Sequence, residues 1–254
     1  MFSLRRVKVK LFMVVMVWIL FFLTGTVEGL ADGKGIPILD HFSKEGADAK
    51  GIPPGWQTKT PGSGSKITFE AEKEDPFLHI VCVNDNIAVG KKISFKIHKY
   101  PFLSWRWKTS LLPEGGDVRR RETDEQAGQI YVVFPKFPAP VNTRSVGYIW
   151  DTQAPLGFSG TSTAYSKMKY VVLQSGPDKL NQWIRETRNV YEDYQMLFHE
   201  APPEVGGIVL YINTQHSKSS AEVFYADIFF SSNPPGDQEK YAIRAFRSPK
   251  EKEN

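Results

Sequence analysis

The chain has 254 residues, which suits one domain or at most two and leaves ample mass for a buried core. A single cysteine excludes a disulfide-stapled scaffold, and 41% hydrophobic with 24% charged residues excludes wholesale disorder. Lys and Arg number 32 against 28 Asp and Glu, a formal net charge of +4, and most of that excess sits at the amino terminus.

Arg5, Arg6, Lys8 and Lys10 precede an uncharged apolar run over residues 11–23, and the small residues Gly25, Gly29 and Ala31 follow. A run shorter than the roughly 20 residues of a spanning helix, next to a basic end, is the layout of an export signal. We therefore expect residues 1–31 to direct export, with a periplasmic location; extended to Val27, the same run also suits an uncleaved anchor. No cysteine lies near residue 25, so a lipid-anchored form is not expected. Without this segment the net charge is +1, which supplies no electrostatic reason to propose nucleic acid or an anionic membrane as partner.

Residues 32–233 read as one β-rich domain. Its leading stretch is rich in Gly, Pro and Ser, with Phe42 and Trp56 as aromatic anchors. Short β-branched or aromatic stretches then recur at 66–70, 77–83, 93–97, 102–108, 129–134, 147–150, 170–174, 207–213 and 222–230. Each is bounded by turn residues, the signature of strands, so a β-sandwich or barrel is expected. Cys82 falls inside an apolar run and reads as a buried, inert thiol. Arg119, Arg120 and Arg121 are surrounded by Asp117, Glu122, Asp124 and Glu125, a solvated loop. Residues 178–199 carry both a helical and an alternating pattern; the weak helix formers Thr187, Asn189 and Val190 favour a strand near 183–188 and then a short helix over 190–198. The charged tail 234–254 is expected to be partly disordered.

On a strand, Leu103, Trp105 and Trp107 share one face and Arg106 takes the other. The tryptophans suit a sandwich core better than a sugar platform. Arg106 must reach solvent or meet carboxylates, for which Asp117, Glu122 and Asp124 are the nearby candidates. Glu122, Asp124 and Gln126 alternate, so a strand would project all three from one face. Jelly-roll glycoside hydrolases use two carboxylates in such an array, but the amide of Gln126 can serve neither as acid nor as nucleophile. The five histidines lack metal-ligand spacing, 157–161 breaks the G-x-S-x-G pattern at its last position, and no phosphate-cradling loop appears, so no cofactor is called for. Asp40 and Asp227, near the first and last strands, are the one pair that would suit a structural calcium ion.

Ordered motifs carry a family resemblance: Leu-Ser-Trp-Arg-Trp-Lys at 103–108, Pro-Glu-Gly-Gly-Asp-Val-Arg at 113–119, Tyr-Val-Val-Phe at 131–134 and Gly-Tyr-Ile-Trp at 147–150. Gln-Ser-Gly at 174–176, Arg-Asn-Val-Tyr-Glu-Asp-Tyr at 188–194 and Tyr-Ala-Asp-Ile-Phe-Phe at 225–230 extend it. The chain resembles the bacterial domain-of-unknown-function 3047 family from about residue 40 to 232. The resemblance implies an exported bacterial protein with an antiparallel, jelly-roll or galactose-binding-like sandwich, and no established activity. The resemblance implies an acidic pair before position 126, an arginine at 129 and an Asp-rich late loop; here Thr123, Asp124, Glu125, Gln126 and Gln129 stand at the first two, and Asn213, Thr214, Gln215, His216 and Ser217 at the third, changes that remove charge.

The reading is thus a non-enzymatic exported sandwich that binds a glycan or another cell-envelope component through Arg106, Asp117, Asp124, Gln126, Trp150 and Arg188. The alternatives are a glycan-acting enzyme using Glu122 and Asp124, and an envelope interaction protein in which these residues only hold the fold.

Overall fold

The structure, a computed structural model, describes residues 38–40, 42, 47, 52–58, 61–72 and 75–236, with the backbone alone for 38–40. The export segment 1–31 and the tail from 237 onward lie outside the described residues. The strands are β1 (Ile38–Asp40), β2 (Trp56–Thr58), β3 (Lys66–Glu72), β4 (Asp75–Val83), β5 (Asn86–Phe95), β6 (Phe102–Leu111) and β7 (Gly128–Phe134). They continue with β8 (Arg144–Asp151), β9 (Ser159–Thr161), β10 (Met168–Ser175), β11 (Ile184–Asn189), β12 (Val205–Asn213) and β13 (Ser220–Ser231). Two helices, α1 (Ala139–Asn142) and α2 (Val190–Phe198), and a 3-10 turn at Arg121–Thr123 complete the secondary structure.

Each stretch expected to be a strand contains one, with 93–97 in strand only as far as Phe95; period-2 burial is written locally into segments such as β4 and β6, whereas β7 and β8 are apolar runs buried on both faces. The strands form a two-layer β-sandwich. The smaller sheet runs β11-β6-β13-β4-β3, with β1 pairing the distal part of β13; the larger runs β2-β5-β12-β7-β8-β10-β9. Pairing is antiparallel except between β8 and β10, which run parallel, Tyr170 opposite Gly147.

β6 turns Leu103, Trp105 and Trp107 inward, all fully buried. They meet Tyr148 and Trp150 of β8 across the sandwich, with ring centroids 5.4 Å apart for Trp105 and Tyr148 and 5.9 Å for Trp107 and Trp150. Burying each such side chain contributes about 2–3 kcal/mol of apolar transfer, so this aromatic ladder is the main inter-sheet adhesive. Tyr225 of β13 adds a polar pin: its hydroxyl accepts from the Gln129 N–H (2.8 Å) and donates to the Gln129 carbonyl (2.9 Å) on the opposing sheet.

The switch from β11 to α2 occurs at Asn189, whose side chain caps the Glu192 N–H at 3.2 Å. Glu192 and Asp193 sit in the positive first turn, and Val190, Tyr194 and Leu197 bury one face. His199, in the left-handed conformation at φ 56°, ends the helix. Cys82 is fully buried, and burial pushes its thiol up to about 11.

Candidate functional site on the larger sheet

β7 is buried on both faces. Ile130, Val132 and Phe134 enter the main core, whereas Tyr131 and Val133 join Ala88 and Val209 in a separate cluster on the sheet's outer side, with Tyr211 and Met168 against it. Gly147 makes room there: a Cβ would lie 2.3 Å from Cε1 of Tyr131, so only glycine lets that ring lie flat across β8.

A chain of hydrogen bonds runs from this cluster to the loop before β7. The Tyr131 hydroxyl donates to Gln129 Oε1 at 2.8 Å, and Gln129 Nε2 donates to Asn213 Oδ1 at 2.8 Å. Asn213 Nδ2 donates to the Asp124 carbonyl at 2.6 Å. The Asp124 carboxylate accepts from Thr163 Oγ1 (2.8 Å) and from Gln126 Nε2 (3.2 Å), and the same amide reaches Asp151 Oδ2 at 3.4 Å. Burial pushes Asp124 up to about 6. Its charge in turn raises Tyr131, Tyr170 and Tyr211, after burial the largest cause in each. The Tyr211 hydroxyl is enclosed and has no hydrogen-bond partner.

Asp151 differs from Asp124. It is fully buried and accepts the N–H groups of Val118 (2.9 Å), Gln153 (2.8 Å) and Ala154 (2.6 Å), which fixes the loops beside it; burial still raises its carboxyl. Glu125, also fully buried, accepts from the Ser217 N–H at 3.1 Å, from the His216 N–H and from the Ser217 hydroxyl, and so ties the loop after β12 to the loop before β7.

The six residues expected on one ligand face are divided by the sandwich. Asp124 and Gln126 belong to the cluster just described. They lie in extended chain after the 3-10 turn rather than on a strand, so Glu122, Asp124 and Gln126 do not project together. Asp117 is buried beside them, and Arg119, bonded at 2.8 Å, holds its carboxyl below the usual range. Trp150 is fully enclosed in the core and donates to the Gly176 carbonyl at 3.1 Å. Arg188 faces inward from β11 and grips Asp193 at 2.5 Å, while Asp193 also accepts from Tyr148 at 2.7 Å.

Arg106 lies on the outer side of the smaller sheet. Its acidic partners are Asp227 (2.5 Å) and Asp75 (2.8 Å), not Asp117, Glu122 or Asp124. Strand order decides this, since β6 is flanked by β13 rather than by the loop that follows it. Asp227 also faces Arg185 at 3.6 Å. Asp40 pairs by backbone with Ile228, so the two chain ends do adjoin; its side chain lies outside those described, and the Asp227 carboxylate is engaged by guanidinium groups. Among the described residues, no group of three or more His, Cys, Asp or Glu could hold a metal ion.

Residues 54–229 match the family described as protein of unknown function DUF3047. The chain belongs to that family. In this DUF3047 protein the Gln129 to Asn213 bond is a neutral amide pair. No curated protein matches the chain.

Among solved structures, the DUF3047 chain is similar to the enzymatically active domain of bacteriophage CBA120 tailspike protein 4 (8% identity, TM-score 0.42), covering 77% of this chain and 21% of that one. It is also similar to the xyloglucanase domain of NopAA from Sinorhizobium fredii (10% identity, TM-score 0.40), over 70% of this chain and 93% of that one. A third likeness is the family 30 carbohydrate-binding module of a Clostridium thermocellum cellulosomal cellulase (10% identity, TM-score 0.40), over 70% and 87%. These are likenesses of fold alone.

Tyr131, Gln129, Asn213, Tyr211, Thr163 and Asp151 are the members of the cluster that sequence reasoning did not single out as site residues. Their available signal is parity: Gln129 and Tyr131 on one strand, and Tyr211 and Asn213 on another, alternate with purely aliphatic neighbours.

Proposed function

We propose that this DUF3047 protein is an exported, non-catalytic binding protein whose site on the larger sheet takes an uncharged polyhydroxylated ligand, a glycan or another envelope component. The observation that carries the reading is the Tyr211 hydroxyl, enclosed and unpartnered beside a connected row of amides and one carboxyl. A buried hydroxyl without a partner costs roughly 1–3 kcal/mol, which a ligand hydroxyl would recover. The half-buried Asp124 carboxylate offers acceptors of the kind that orient sugar hydroxyls, and the buried amides of Gln126 and Gln129, already hydrogen-bonded, hold its surroundings in place. Binding is favoured over hydrolysis because Asp151, which shares the Gln126 amide with Asp124, is saturated by backbone N–H groups, and Glu122 is exposed on the 3-10 turn. Neither forms a second working acid with Asp124. Export is supported by the basic end and apolar run of residues 1–31.

The test is titration of the full chain with envelope polysaccharides and their oligosaccharides. Tyr211→Phe and Asp124→Asn should each weaken binding about tenfold, as one lost hydrogen bond of about 1.4 kcal/mol requires. Tyr211→Phe should at the same time raise the melting temperature, because it removes an unsatisfied group. Unchanged affinity in both variants, or no polysaccharide bound, would overturn the proposal.

A further inference from the structure

The end of the sandwich away from Asp124 carries a different chemistry. In the loop joining β7 to β8, Phe137 is 92% exposed and Val141 is 60% exposed. Both stand in the one short loop, Phe137 just before α1 and Val141 within it. The loop is held stiffly for this display. Val141 N–H and Asn142 N–H both donate to the Pro138 carbonyl (3.2 and 3.1 Å), and Asn142 Nδ2 donates to the Phe137 carbonyl at 3.0 Å. Met196 on α2, 51% exposed, belongs to the same end, since Tyr194 of that helix packs on Phe134 at 4.7 Å.

The charges next to the loop are mainly basic. Lys136 and Arg144 share Glu200, Lys169 of β10 reaches the Leu197 carbonyl at 2.6 Å, and Lys167, just before β10, is tied to β8 by its carbonyl, which accepts the Ser145 N–H. Lys96 and Lys99 stand exposed in the loop between β5 and β6, at the same end. The near-zero net charge of the domain conceals this local excess.

The chain also enters here. β1 runs antiparallel to β13 with Ile38 opposite Phe229, and β13 ends at Ser231 opposite Phe102, next to the start of α2. Ile38 therefore lies at the end that carries Phe137, and the basic and apolar stretch of residues 1–27 precedes it in the sequence.

From these three convergent features we infer that this end of the sandwich docks on the interfacial layer of an anionic lipid bilayer, with Phe137 and Val141 inserted and the flanking lysines on headgroups. Exposed apolar side chains on a rigid tip ringed by cations are suited to shallow insertion, and the fold then holds the Asp124 cluster away from the lipid. Gln129 and Phe134 are separated by the length of β7, on the order of 17 Å at 3.3–3.4 Å per residue.

Because the apolar run near the amino terminus would partition into lipid by itself, the test must read the loop and not the whole chain. The full-length protein carrying Phe137→Cys is labelled with an environment-sensitive fluorophore, Cys82 being fully buried. Glu114→Cys, exposed near the other end, is the control. With vesicles of phosphatidylethanolamine and phosphatidylglycerol, the label at 137 should shift to the blue and be quenched by nitroxide lipids at least threefold more than the label at 114. Adding Val141→Ser and Lys136→Ser should bring that quenching to the control level with the melting temperature unchanged.

Equal quenching at both positions, or none at 137, would overturn the inference. So would a blue shift at 137 that grows with protein concentration without vesicles, which would make the tip a contact between copies of the chain.

Discussion

Replacing Arg106 with methionine keeps the aliphatic stem that packs along β6 and removes only the cation. The guanidinium lies with 17% of its side chain exposed between Asp227, 3% exposed at 2.5 Å, and Asp75, 34% exposed at 2.8 Å, and 5.1 Å from the Trp183 ring centre. The contact with Asp75 is near solvent and contributes at most about 1 kcal/mol. The contact with Asp227 is the buried half; removing the guanidinium at 2.5 Å from this desolvated carboxylate, with Arg185 farther off at 3.6 Å, costs about 3 kcal/mol. The sum is about 3–4 kcal/mol, or a fall in melting temperature of about 10 °C for a domain of this size.

Thermal and urea unfolding of Arg106→Met, Asp227→Asn and the double variant measure this as a cycle. Asparagine tolerates the left-handed φ of 53° at position 227, so the substitution changes charge and not backbone strain. The double variant should recover more than half of the Arg106→Met loss, because the buried negative charge is removed together with the cation that faced it. A single-variant loss below about 1 kcal/mol, or strictly additive losses, would refute the buried-pair account and return Arg106 to the list of ligand contacts.

Three other outcomes follow from the geometry. Asp124 titrates at about 6 in the fold against 3.8 when unperturbed, so the fold favours its protonated form. That contribution is complete below about pH 4 and lost as pH rises through 6; the stability of Asp124→Asn relative to the native chain should therefore grow between those pH values and level off above, and a flat difference would be evidence against the burial. Gly147→Ala drives a methyl into the Tyr131 ring and should cost about 1–3 kcal/mol, read by urea unfolding, whereas a neutral result would mean that the ring does not cross β8. Cys82, enclosed and with its thiol pushed up to about 11, should stay unlabelled by a thiol reagent at neutral pH until urea unfolds the chain; rapid stoichiometric labelling of the native protein would contradict its place in the core.

The tryptophans of β6 and the short helix α2 were legible in the sequence because each depends on neighbours within a few residues. Side-chain alternation puts Trp105 and Trp107 on one face whatever strand lies opposite, and the weak helix formers Thr187, Asn189 and Val190 mark where the strand gives way to the helix; that Asn189 caps it was seen only in the structure. The same local logic could place Arg106 outward but not choose its partner. Asp227 is distant in sequence and arrives only because β13 lies beside β6, while the nearer Asp117 is turned away and paired with Arg119. The cluster around Asp124 has the same origin, since Asn213, Thr163 and Asp151 are brought there by strand order and by the parallel pairing of β8 with β10. Burial parity is a property of a segment and is carried by its residues. The identity of a buried polar group's partner is a property of the closed sandwich, set by long-range pairing that no short stretch of this sequence encodes.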